Sequence, residues 1–251
     1  MVSYMMHGMN EFSKLEILLE NSRLMAICKP SGLLVIPDRW EKSHVTLMSL
    51  GKKYLGKNCW PIHRLDREAS GVLLMAKDAD MRTYLGRQFQ KRQVQKMYHA
   101  LVQGVVDEEK GEIHHPIGED LSRPGRMKIG GKGAKEAHTY FEILERFKTV
   151  SMVLVRIITG RQHQIRVHMK SIGHPVICDP IYGSGKPYLL SEMKKFYKFK
   201  EDEPEKPLMG RLGLHASSLE FYLGEGELCR VEAPLPKDFE VFLKYLRRYS
   251  K

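Results

Sequence analysis

The stretch His63-Arg64-Leu65-Asp66-Arg67-Glu68-Ala69-Ser70-Gly71 runs directly into the apolar segment Val72–Ala76. It reads as a polar loop feeding a buried strand, with Ser70 and Gly71 at the junction. Loops mounted on a sheet are where reacting groups concentrate, because the sheet holds still what the loop presents. Asp66 stands between Arg64 and Arg67. A neighbouring guanidinium favours the anionic form of a carboxylate, and the anion can act as nucleophile or base. An aspartate so placed can also simply cap a turn or pair with a surface arginine, and the loop alone leaves both readings open.

Outward from this loop the chain reads mostly as strands. Leu24–Cys28 is an apolar strand ended by the turn Lys29-Pro30-Ser31-Gly32, and Leu33–Ile36 continues extended to Pro37. The short apolar run Leu15–Leu19 reads as an edge strand or a frayed terminus. After Ala76, Asp78 and Asp80 are candidate N-caps for a helix in which Met81, Tyr84, Leu85 and Phe89 recur at helical spacing. Its outer side carries Arg82, Arg87, Lys91 and Arg92. Lys96–Val102 alternates like a strand with Tyr98 and Ala100 on one face, where the tyrosine ring either packs or stacks on a base. Thr139–Leu144 and Val150–Ile158 form a hairpin pattern, Gln162–Ile172 a helix with Gly173 at its C′ position, Leu228–Ala233 a late strand, and Phe239–Tyr249 an amphipathic helix. Strands joined by tight turns outnumber helices, which predicts an α+β domain with a largely antiparallel sheet. Pro116–Lys135 and Gly185–Pro207 read as inserted solvated loops.

A second polar cluster, Thr159-Gly160-Arg161-Gln162-His163-Gln164-Ile165-Arg166-Val167-His168, sits where a strand hands over to a helix. His163, Arg166 and Lys170 fall at i, i+3 and i+7 and share one helix face. Such a stripe can hold phosphates, hold a carboxylate from another loop, or lie solvated. No metal site is expected. His163 and His168 point to different sides of the helix, and His114-His115 are adjacent rather than convergent. His63-Arg64-Leu65-Asp66 is not the protein-kinase catalytic loop, because Leu65 interrupts it, and Gly130-Gly131-Lys132-Gly133 lacks the Ser or Thr of a phosphate-binding loop.

Composition narrows the partner. The chain has 251 residues, 42% hydrophobic and 28% charged, which is enough to bury a core and too apolar for a disordered chain. No apolar run approaches the roughly 18 residues of a membrane span, and Met1–Asn10 lacks the pattern of a signal peptide. A net charge of +11 attracts polyanions, nucleic acid foremost. Cys28, Cys59, Cys178 and Cys229 are single and widely spaced, which argues against a zinc ribbon or disulfide framework and for a reducing compartment.

In order along the chain, these segments resemble the RluA-type pseudouridine synthase family. The resemblance is carried by Lys29-Pro30-Ser31-Gly32-Leu33, His63–Asp66 with Ser70-Gly71, and Lys96-x-Tyr98-x-Ala100-x-Val102-x-Gly104. It continues through Gly160-Arg161-x-His163-Gln164-Ile165-Arg166-x-His168, Gly173-His174-Pro175, Asp179-Pro180-Ile181-Tyr182-Gly183 and Leu214-His215-Ala216. The His before Arg64, and Val167-His168 after Arg166, suit this branch better than the related RsuA-type branch. Two positions depart from the family pattern: Ala69 replaces the usual Thr, and Cys178 the usual Gly. Too few residues precede Leu24 for the S4 RNA-binding domain that many members carry, so the chain is similar to the compact members. A segment 1–22 and a catalytic domain 23–251 are expected.

The resemblance implies a pseudouridine synthase fold: a mostly antiparallel mixed sheet with flanking helices and a central active-site cleft. It implies that uridines in ribosomal or transfer RNA are isomerised, with no cofactor and no metal. Asp66 would be the essential carboxylate, as nucleophile or base. Arg166 would hold Asp66 as an ion pair. Tyr98 would pack on the uracil, and Arg64 would enter the RNA stack in place of the flipped nucleotide. Arg161 and His163 would contact RNA, and Arg82, Arg87, Arg92, Arg123, Arg126 and Lys128 are candidates for phosphates. The expected protein is a cytoplasmic monomer whose partner is RNA. The runner-up is a non-catalytic RNA-binding or ribosome-assembly protein on the same scaffold. A hydrolase using Asp66 and His63 is a third reading.

Overall fold

The structure, a computed structural model, describes residues 15–37, 45–131, 133–194, 197, 204–224 and 226–250. They divide into two compact units. The first holds the chain up to Lys96 together with Ala216–Pro234. The second holds Met97–His215 together with the residues from Leu235 onward.

In the first unit, β1 (Glu16–Glu20) is an edge strand antiparallel to β2 (Leu24–Lys29). After helix α1 (Leu47–Leu55), the short β3 (Trp60–Pro61) pairs with β4 (Ser70–Ala76), which also pairs with β2. Every residue of β4 is buried, as its unbroken apolar run requires. Helix α2 (Ala79–Gln90) starts where Asp78 accepts the Met81 N–H at 2.7 Å, so Asp78 and not Asp80 is the cap. Met81 and Leu85 turn into a core with Leu24, Ala26, Val72, Leu74, Leu219, Phe221 and Val231. Leu33–Ile36 is not the extended strand the sequence suggests. Leu34 makes a lone parallel bridge to Thr46, and the flanking residues bend.

In the second unit, β5 (Gln95–Gln103) begins in the first unit and enters here at Met97. Next come β6 (Lys110–Ile113), β7 (Ile117–Glu119) and β8 (Met127–Ile129). The hairpin β9 (Thr139–Arg146) and β10 (Val150–Ile157) then leads to helix α3 (Gln164–Ser171). The sheet order is β5-β10-β9-β6, and each of its ladders is antiparallel. β11 (Leu214–Tyr222) starts here and passes into the first unit at Ala216, where it lies beside β4 and pairs with β12 (Leu228–Glu232). Helix α4 (Lys237–Tyr249) buries Phe239, Phe242, Leu243 and Leu246 against Leu101, Phe147, Val150, Met152 and Met209.

The two presumed insertions need correction. Pro116–Lys135 contains the β7–β8 ribbon, anchored because Ile117 joins Ala137, Val167 and Tyr182 in a small apolar cluster. In 185–207, the described part is tied down by Tyr188, which bridges to Met209 and packs against Phe242. Lys132, Lys195, Lys198, Lys200 and residues 1–14 lie outside the described residues. Strands dominate and helices flank them, so the fold is α+β. Among the described residues no helix is long and apolar enough to cross a membrane.

Candidate functional site

The first unit places Asp66 half-buried on the loop between β3 and β4, where its carbonyl accepts the Ala69 N–H at 3.2 Å and closes a turn. What fixes this loop is the turn after β2. Lys29 is fully buried, and its ammonium donates to the carbonyls of Pro30 and Leu33, each at 2.9 Å, and of Arg67 at 3.1 Å. The Ser31 hydroxyl donates to the Glu68 carbonyl at 2.6 Å, and the Gly32 N–H to the Arg67 carbonyl at 2.8 Å. The two residues that follow Asp66 in the turn are therefore pinned through their backbone oxygens. Lys29 and Ser31 hold the Asp66 loop in place, a part that sequence reasoning missed. The available signal was a lysine ending an otherwise apolar strand, a charge that burial tolerates only with partners.

Gly71 explains the Ser70-Gly71 pair. It sits at φ +115°, and a Cβ there would fall 2.1 Å from the Ala216 carbonyl oxygen. Only glycine lets the loop enter β4 with β11 so close.

His63 is half-buried, stacked on Phe89 with ring centroids 5.0 Å apart, and its Nε2 accepts the Leu74 N–H at 3.2 Å. Burial, reinforced by the positive charge of Lys96, pulls the imidazole down to about 3. His63 is thus neutral, and its Nε2 lone pair is occupied by the Leu74 N–H, which weighs against the hydrolase reading that needs it as a base. Lys96 itself is buried, and burial together with Arg92 lowers its ammonium to about 8. The sign for stability follows. An unfolded histidine titrates near pH 6.5, so from about pH 6.5 down to about 3 the unfolded chain binds a proton that the folded chain refuses. Stability contributed by His63 is full above that window and is lost as pH falls through it. His63→Gln keeps an acceptor for Leu74, and thermal melts between about pH 7 and 4 should show a shallower fall than in the parent chain. An identical slope would show that His63 does not titrate as inferred.

Of the other candidates in this unit, Arg64, Arg82, Arg87 and Arg92 are exposed. Arg82 also sits over the Trp60 ring, 5.6 Å from its centroid.

The second unit holds Tyr98, Arg166, Arg161, His163 and the cationic ribbon. Tyr98 is buried on β5 opposite Val155. The polar stripe of α3 is buried at Arg166, half-buried at His163 and exposed at Lys170. Arg166 is 1% exposed and grips the fully buried Asp179 in a two-pronged pair, Nε to Oδ2 at 2.7 Å and Nη2 to Oδ1 at 2.8 Å. The stripe thus holds a carboxylate from another loop, one of the readings the spacing left open. Asp179 Oδ1 also accepts the N–H groups of Ile181 and Tyr182 at 2.8 and 3.0 Å. Burial alone raises the Asp179 carboxyl, but the Arg166 hydrogen bonds and charge and the two amides outweigh it, and the net shift is downward.

The Tyr182 hydroxyl accepts the Met127 N–H at 2.8 Å and lies 2.9 Å from His163 Nδ1, tying β8 to the start of α3. His163 adopts φ +55° as the helix cap. Gln164, buried behind it, accepts from Thr159 Oγ1 and the Arg161 N–H and donates to the His138 carbonyl and Thr139 Oγ1. Arg161 is half-buried with its Nε on the Glu136 carbonyl at 2.9 Å. Arg123 and Lys128 are exposed and Arg126 is half-buried, all on the β7–β8 ribbon or its turn. Lys128 is 3.8 Å from Asp120. Asp179, Tyr182 and Gln164 were not singled out as site residues, because their roles rest on partners that the local pattern does not reveal.

The family described as RNA pseudouridylate synthase matches residues 23–171. Ribosomal large subunit pseudouridine synthase D of Neisseria meningitidis serogroup B is 35% identical over 238 residues, covering 93% of this chain and 61% of that protein. Dual-specificity RNA pseudouridine synthase RluA of Vibrio parahaemolyticus is 34% identical over 213 residues, covering 82% of this chain and 77% of that protein. Among solved structures, human RNA pseudouridylate synthase domain containing 4 superposes with a TM-score of 0.73 at 26% identity, covering 96% of this chain and 97% of that one.

Proposed function

The chain belongs to the RNA pseudouridylate synthase family, in its RluA-type branch, and from that premise we propose that it isomerises uridines of ribosomal or transfer RNA to pseudouridine with Asp66 as the reacting carboxylate. Residues 23–251 form its catalytic domain in this reading. The reaction breaks the N1–C1′ bond, turns the base, and rejoins it through C5, whose proton leaves to solvent. Asp66 acts on the sugar or the base as nucleophile or general base. Tyr98 packs on the uracil, and Arg166, oriented by Asp179, serves the reacting carboxylate. Arg64 fills the gap left by the everted nucleotide, whose unstacking costs a few kcal/mol. The chemistry needs no cofactor, and the protein works as a cytoplasmic monomer.

The observation that carries this reading is the Asp66 loop, stapled through the Arg67 and Glu68 carbonyls by the buried Lys29 and by Ser31. A carboxylate on a loop held so firmly is prepared for chemistry and not merely solvated. Asp66, Tyr98 and Arg166 are all present, which weighs against a scaffold that has lost catalysis. Pseudouridines mapped in cellular RNA with and without the gene provide the test. Loss of one or a few sites in ribosomal or transfer RNA is expected, and an unchanged map would refute the assignment.

RNA affinity follows from the same reading. Arg82, Arg87, Arg92, Arg123, Arg126 and Lys128 are taken as phosphate contacts. Six such contacts weaken binding by about a thousandfold between 50 and 200 mM salt. Filter binding with a ribosomal RNA fragment measures this, and a flat profile would remove these residues from the RNA interface.

A further inference from the structure

The end of β6 and the start of β9 bring together three side chains that the spacing of the histidines did not connect. Glu112 and His114 are two residues apart and so lie on the same side of the β6 backbone. The register pairs Glu112 with Tyr140 and Ile113 with Thr139, which puts His114 across from His138. Glu112 Oε2 stands 3.1 Å from His114 Nε2 and 3.2 Å from His138 Nε2. The two imidazoles are 3.4 Å apart between ring centroids, tilted by 40°. Among the described residues, this is the cluster in which three metal-ligating side chains offer ligand atoms all within 4.8 Å of one another.

From these positions we propose that Glu112, His114 and His138 form a binding site for one divalent transition-metal ion, zinc or a close neighbour. Ligand atoms set tetrahedrally about zinc at 2.0–2.1 Å stand about 3.3 Å from one another. The two spacings between the carboxylate oxygen and the imidazole nitrogens, 3.1 and 3.2 Å, therefore match two edges of one face of such a coordination sphere. Two imidazoles and one carboxylate are a donor set for zinc, copper, nickel or cobalt, whereas magnesium and calcium take oxygen donors. The fourth position faces water, since Glu112 and His114 are each 54% exposed and His138 21%.

The site is also built on fixed backbone. The His138 N–H donates to Thr159 Oγ1 at 3.0 Å, and its carbonyl accepts from the Ile158 N–H at 3.1 Å and from Gln164 Nε2 at 3.0 Å. His168 Nε2 lies 2.9 Å from the His115 carbonyl and steadies the chain just past His114. The Tyr140 ring backs His138 at 4.2 Å between centroids and carries Arg156 over its other neighbourhood at 4.3 Å. Ligands held in this way lose little freedom on binding an ion. These residues lie on the face of the β5-β10-β9-β6 sheet opposite Tyr98. Met97, not Tyr98, aligns with Arg156 and Tyr140 across the strands.

Isothermal titration of the chelator-treated full chain with zinc chloride tests the proposal. One ion per chain is expected. Glu112→Gln, His114→Ala and His138→Ala should each weaken binding about tenfold or more, while His174→Ala, remote from the cluster, should not. Zinc should raise the thermal midpoint of the parent chain and of His174→Ala clearly more than that of the three cluster variants. Glu112 and His114 project into solvent, so their variants remain decisive even if His138→Ala folds poorly. Saturable binding unaffected by the Glu112 and His114 substitutions, or no saturable binding by the parent chain, would overturn the site.

Discussion

Asp66→Asn lowers pseudouridine formation by about a thousandfold or more, while the thermal midpoint and RNA affinity stay near those of the parent chain. The substitution changes charge and keeps shape. An amide cannot attack a carbon centre or take up a proton as a carboxylate does. The loop survives because its staples do not use the Asp66 side chain. Lys29 and the Gly32 N–H hold the Arg67 carbonyl, Ser31 holds the Glu68 carbonyl, and Gly71 keeps its close approach to Ala216. RNA affinity is set by cations elsewhere and is not weakened by removing an anion. Single-turnover product formation, read beside a thermal melt and a binding isotherm, separates the three quantities. Turnover within tenfold of the parent would take Asp66 out of the chemistry, and a collapsed melting transition would make it a structural residue instead.

The largest stability effect is expected at Asp179. Asp179→Asn leaves the Arg166 guanidinium buried with one good acceptor fewer and an amide group facing its N–H donors. Breaking one side of a buried pair costs about 3–5 kcal/mol. For a chain of this size that is a fall of about 10 °C or more in the thermal midpoint. The Ile181 and Tyr182 N–H groups share the same oxygen, so the loop that carries Tyr182 against His163 loosens with it. Replacing both partners with apolar residues of similar volume, Arg166→Met with Asp179→Leu, should recover part of the lost stability and none of the activity, because burying two charges is itself costly. Stability without recovery in the double variant would mean that the pair does more than satisfy itself. The acid side carries the same signature. The Asp179 carboxyl lies below its ordinary range, so its contribution is present above about pH 4 and is lost as pH falls through the folded value. Asp179→Asn should lack that part of the acid transition.

How far these features could be read from the residues alone depended on whether they were local. β2, β4, α2, the β9–β10 hairpin and α4 follow from apolar periodicity, and the structure places each within two residues of its sequence boundary or somewhat longer. Helix α1 escaped because only Leu47, Leu50 and Gly51 are buried in it. Gly51 is there to fit beneath Cys59 Sγ and Met75 Cε, a tertiary reason invisible in the local pattern. β11 escaped because Ala216, Ser217 and Ser218 look polar or featureless in sequence, yet all three are buried beside β4. β6, β7 and β8 are three or four residues long and become strands only through their partners.

The site divides in the same way. The Asp66 loop announced itself by its own charges, and the α3 stripe by its spacing. That the stripe closes on Asp179, that Lys29 locks the loop from 38 residues away, and that His114 meets His138 are consequences of pairing registers and chain crossings. The reading of the histidines compared near neighbours along the chain, whereas His114 and His138 are brought together across two strands.

The central claim, that this chain moves a uracil from N1 to C5 through Asp66, is tested most directly by tritium release from RNA labelled at uridine C5. The new carbon–carbon bond at C5 expels the label to water, so release counts product. The parent chain should release tritium in proportion to pseudouridine formed, and Asp66→Asn should release none above background. Label retained by the folded parent chain on total cellular RNA, or released equally by the variant, would contradict the account.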